Sequence, residues 1–128
     1  MQQKEIHYSA INFFSIIGKR EGFLPIKEFS LTNFEISSDE RIDLALIKNG
    51  KVEYTFEFES QKISKSILLQ RINKLNKIPK HIKKYIFYVS KNLICGDKIC
   101  ILYTNEDSLF EISEIFGGFN LNFLFFIV

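Results

Sequence analysis

The stretch RIDLALIKNGKVEYTFEFESQK, residues 41–62, carries Asp43, Glu53, Glu57 and Glu59 within a short span. Carboxylate oxygens are the ligands that hard divalent cations such as Mg²⁺ and Mn²⁺ prefer. The segment that follows has the opposite character. Residues 61–96 hold nine cations (Lys62, Lys65, Arg71, Lys74, Lys77, Lys80, Lys83, Lys84 and Lys91) and not one acid. Lysine-rich helices usually interleave glutamates for i,i+4 pairing. A cationic block without them suits an anionic partner. Carboxylates beside such a block can bring a metal ion and a phosphate together.

The rest of the chain offers little competing chemistry. No Gly-rich phosphate loop and no G-x-S-x-G occurs, and the serines form no recognisable Ser/His/Asp set. Cys95 and Cys100 lack nearby histidines, so they make a poor zinc site and read as two reduced, buried thiols, with a disulfide across a turn as the lesser option. His7 and His81 are far apart in sequence and read as surface or helix-end residues. The net charge of +2 conceals segregation: residues 1–60 hold seven basic and ten acidic groups, and residues 97–128 one lysine against five acids.

Periodicity supplies the elements that must position these groups. Residues 4–17 place Ile6, Ala10, Phe13, Phe14 and Ile17 at helical spacing, with Gly18 as a stop. LPIKEFSL (24–31) alternates, with Pro25 at its start where a strand tolerates it. RIDLALI and VEYTFEFE are period-two strands. Residues 61–78 turn helical through Ile63, Ile67, Ile72, Leu75 and Ile78, and Pro79 ends the run. YIFYVS (85–90), with Tyr85 and Tyr88 as core, and ICILYT (99–104) read as buried strands. Asn105-Glu106-Asp107 opens a last helix over 108–116, closed by Gly117-Gly118. The order is α-β-β-β-α-β-β-α: one α/β domain over 1–128, a central mixed sheet flanked by helices. The tail FNLNFLFFIV would be a sticky edge if exposed, so it packs as an added strand, within the domain or across a two-fold dimer. The apolar stretch 10–17 reads as helix core rather than an export leader, and the tail is far short of the ~20 residues that span a bilayer. These readings favour a cytoplasmic protein with no membrane partner.

Register decides whether Asp43 meets the glutamates. A two-residue turn at Asn49-Gly50 puts Asp43 opposite Phe56 and sets Ile42, Leu44 and Leu46 against the carboxylate row. A three-residue loop, Lys48-Asn49-Gly50, sets Ile42, Leu44 and Leu46 against Phe56, Tyr54 and Val52. Asp43 then lies across from Thr55, on one face with Glu57 and Glu59. Hydrophobic matching selects the second register. Two carboxylates about 6 Å apart repel by roughly 3 kcal/mol at an effective dielectric near 20, and a divalent cation removes that repulsion.

These residues and this element order resemble the restriction-endonuclease-like superfamily, the PD-(D/E)XK nucleases, over about residues 4–104. Asp43 takes the position of the metal-binding Asp, and Glu57-Phe58-Glu59 that of (D/E)-X-K. Glu5 matches an acidic residue of the first helix, and Gln70 a glutamine of the crossover helix. The resemblance implies a DNA-binding, Mg²⁺- or Mn²⁺-dependent deoxyribonuclease. Asp43, Glu57 and Glu59 would hold the metal, which lowers the pKa of bound water. Ile42 stands where the family has proline, and Glu59 where it has lysine. Lys62 is the nearest replacement on the side of the following helix. Lys65, Gln70, Arg71, Lys74 and Lys77 would meet the nucleic acid, mainly at its phosphates. Loss of the lysine leaves the alternative of a catalytically inactive binding or assembly module on the same fold.

Overall fold

The computed structural model describes residues 3–61, 63–89, 98–104 and 120–123. Helix α1 (Gln3–Arg20) leads into β1 (Leu24–Ser30), a 3-10 turn (Leu31–Phe34), β2 (Arg41–Lys48) and β3 (Lys51–Glu59). Helix α2 (Lys65–Asn76), β4 (Lys83–Tyr88), β5 (Lys98–Thr104) and β6 (Asn120–Phe123) follow. The strands form one mixed sheet whose spatial order equals chain order, β1 to β6. β1, β2 and β3 are an antiparallel meander; β4 lies parallel to β3, with α2 in the crossover, and β5 returns antiparallel to β4. β6 runs parallel to β5, so residues 120–123 of the tail do add a strand within the domain. The expected helix at 108–116, together with Cys95 and Lys62, lies outside the described residues.

The two faces of the sheet carry separate cores. One gathers Ala10, Ile11, Phe14 and Ile17 of α1 over Leu44, Leu46, Tyr54, Phe56, Phe58, Tyr85 and Phe87. The other sets Leu75 of α2, with Ile63, Ile78 and Ile82, over Ile42, Ala45, Ile86 and Leu102. Gly18 does not end α1, as the spacing predicts. It lies within the helix, where an added Cβ would stand 2.6 Å from Leu46 Cδ2, so its lack of a side chain lets α1 approach β2. The helix ends at Gly22, whose φ of +92° few other residues adopt. Phe23 N–H then bonds Gly18 O and Gly22 N–H bonds Lys19 O, a Schellman closure. Helix α2 starts later than expected because the Ser64 hydroxyl caps it, accepting from Ile67 N–H at 3.2 Å.

The β2–β3 turn corrects the expected three-residue loop. Lys48 pairs with Lys51 and Ile47 with Val52, across a two-residue turn in which Asn49 and Gly50 both have positive φ. Register then shifts between Leu46 and Ile47, leaving Glu53 as the extra residue of a bulge, and Leu46 meets Tyr54 and Leu44 meets Phe56. The apolar match is thus recovered by another route. Ala45, not Asp43, pairs with Thr55, and Ile42 belongs to the α2-side core rather than joining Leu44.

Candidate functional site

The β2–β3 ladder stops at Leu44 and Phe56, while β2 stays paired to β1 as far as Arg41 and β3 to β4 as far as Glu59. Two strands that part leave backbone donors to be satisfied by something else. Side chains do it here. Phe58 N–H donates to Asp43 Oδ2 at 2.8 Å, and Asp43 N–H donates to Glu57 Oε2 at 3.3 Å. Asp43 and Glu57 therefore meet in the fork between the strands, with Glu59 two residues further along β3.

Each carboxylate has a cationic or proton-bearing partner from a helix. From α1, His7 Nε2 lies 3.1 Å from Asp43 Oδ2. From α2, Lys74 Nζ pairs with Glu57 Oε1 and donates to Arg41 O at 3.0 Å, and Arg71 Nε donates to Glu59 Oε1 at 2.8 Å. The spacing explains the match. Three helix residues advance about 4.5 Å and two strand residues about 6.6 Å, close enough for one cation per acid. The packed stripe of α2 runs through Leu68, Ile72 and Leu75, whereas Ile67 is 36% exposed. That rotation carries Arg71 and Lys74 to the sheet.

Burial sharpens the electrostatics. Glu57 is 3% exposed, and its Oε1 is held by the Lys74 ammonium in an ion pair. Burial pushes the Lys74 ammonium below its ordinary pKa, against the opposing pull of Asp43 and Glu40. The hydrogen bond to Asp43 raises His7, helped by the charges of Asp43, Glu59 and Glu28 and opposed by burial. His7 is not the surface or helix-end residue that its sequence suggested: it is half-buried and bonded to Asp43. It precedes Ala10 by three and Phe14 by seven, which places it on the buried stripe of α1.

The remaining cations sit outward. Lys65 and Gln70 are exposed, and Lys77 pairs with Glu40 at 2.5 Å. Gln70, Arg71, Asn73 and Lys74 of α2 and Lys77 at its C-cap, with Glu40 and Arg41, line an open groove of about 430 Å³. Lys84 is buried for a different purpose: its Nζ donates to Pro79 O and Ile82 O, fastening the turn after α2.

Among the described residues, no three His, Cys, Asp or Glu side chains are gathered so as to hold a metal by themselves. Mg²⁺ is commonly held by only one or two carboxylates, with water and substrate oxygens completing its shell. Asp43 and Glu57 fit that donor set, as two carboxylates that meet in the fork. No helix among the described residues is long and apolar enough to cross a membrane. No family model, curated protein or solved structure matches the chain.

Proposed function

We propose that this chain is a restriction-endonuclease-like protein that binds DNA and cleaves phosphodiester bonds with Mg²⁺ or Mn²⁺. The observation that carries this reading is the meeting of Asp43, Glu57 and Lys74 at the fork of β2 and β3. The element order α1-β1-β2-β3-α2-β4, with β4 parallel beside β3, supports it. Asp43 and Glu57 hold the cation, which when bound neutralises phosphate charge and acidifies water. His7 steadies Asp43 through its hydrogen bond, and Arg71 fixes Glu59. Lys74 supplies the ammonium that the pattern lacks at Glu59, placed to offset charge developing on the phosphate. Lys65, Gln70 and Lys77 position the DNA backbone.

A second reading is favoured by one observation: every carboxylate of the fork already has a partner from its own chain. Such a site also suits a catalytically silent binding module. A cleavage assay on duplex, branched and single-stranded DNA with Mg²⁺ and Mn²⁺ separates the two. Cleavage that Asp43→Ala abolishes supports the nuclease. Salt-sensitive binding without cleavage supports the module. Absence of DNA binding at low salt overturns both.

A further inference from the structure

Lys74 stands between two places where an anion can sit. Its side chain is 15% exposed, and its ammonium touches Glu57 at the fork. The same residue lines the groove beside Gln70, Asn73 and Lys77. The neighbouring cations have other attachments, Arg71 on Glu59 and Lys77 on Glu40. Lys74 alone among them contacts Glu57.

We propose that Lys74 is a resident cation of the fork, drawn off Glu57 by a nucleic-acid phosphate in the α2 groove, so that metal and nucleic acid bind as a linked pair. The inference rests on the nuclease reading above. A dication and an ammonium repel, and both cannot sit on one buried carboxylate oxygen. Without nucleic acid the ammonium holds that place. A phosphate in the groove gives it a second anion within reach of its flexible stem, and Glu57 Oε1 becomes available to the metal. Linkage is reciprocal: whatever factor nucleic acid adds to metal affinity, metal adds to nucleic-acid affinity. Metal loading away from DNA is thereby held low.

The test is Mn²⁺ titration of the full chain, alone and with a saturating, cleavage-resistant phosphorothioate duplex. Wild-type protein should bind Mn²⁺ at least ~10-fold tighter with the duplex. Lys74→Met, which keeps the apolar stem, should bind Mn²⁺ without duplex at least ~10-fold tighter than wild type, and gain less from adding it. Lys74→Gln, still able to donate to Glu57 but uncharged, should behave likewise and serves if the methionine variant does not fold. Mn²⁺ binding in the duplex-free variants no tighter than in wild type overturns the linkage and leaves the nuclease reading standing. Absence of Mn²⁺ binding in every form, with or without duplex, overturns both.

Discussion

β3 presents two faces built on different rules. Toward α1 it offers Tyr54, Phe56 and Phe58, and Phe14 packs its ring 6.0 Å from Phe56, 5.1 Å from Phe58 and 5.3 Å from Phe87. Toward α2 the same strand offers Thr55, Glu57 and Glu59, and each has its own polar partner: Lys83 O, Lys74 and Arg71. The first face needs only volume and apolarity, and hydrophobic swaps of similar size are tolerated there. The second needs particular atoms, because a buried charge without its partner is strongly destabilising. One face stores stability. The other constrains the sequence of α2 residue by residue and holds whatever chemistry the protein has.

The largest effect should come from the aromatic face. Phe14→Ala should remove about 4 kcal/mol, by lost burial and the cavity left behind, read as a lower urea midpoint. DNA affinity per folded molecule should be unchanged. Lys74→Met should follow at about 3 kcal/mol, because it strands the buried Glu57 charge. Pairing it with Glu57→Leu should restore most of that loss, whereas equal losses in the single and double variants would mean packing, not charge, sets the polar face. Gly18→Ala should cost about 1 kcal/mol: crowding at Leu46 outweighs the gain in helix propensity.

His7 gives the comparison a pH axis. Its pKa is raised in the folded state, so its stabilisation is complete below the unfolded value of about 6.5 and is lost as pH rises through the folded value. Thermal melts at about pH 5.5 and about pH 8.5 should therefore show a loss on going up in pH that His7→Gln flattens. Smallest of all, Lys77→Ala breaks an exposed pair with Glu40 and should change stability by about 0.5 kcal/mol or less.

Much of this was legible in the sequence, and the exceptions have physical causes. Alternation along β2 and β3 put Glu57 and Glu59 on one face and Tyr54 and Phe56 on the other, as found. Parity could not tell a three-residue loop from a two-residue turn followed by a bulge. Both displace the register by one residue, and Asn49-Gly50 prefers the tighter turn. Asp43 escaped alternation altogether, since strands that part no longer hold their side chains to a face. Of the expected α2-side stripe only Ile67 was misplaced: the equally apolar Leu68 packs in its stead, while Ile63, Ile72, Leu75 and Ile78 join the core. A step of one residue turns a helix by 100°, which decides whether Lys74 meets a carboxylate or water.

Sheet order that equals chain order also governs how the protein is made. Such an order lets each strand dock on the edge left by its predecessor, beginning with meander pairs whose contacts are local and fast to form. β3 is the long wait. Its partner β4 starts only after the 23 residues that separate Glu59 from Lys83. At synthesis rates of about 5–20 residues per second, that edge stays open for roughly 1–5 s. Charged side chains are a common guard for such an edge. For those seconds Glu57 and Glu59, not yet met by Arg71 and Lys74 of α2, place two like charges on the open strand.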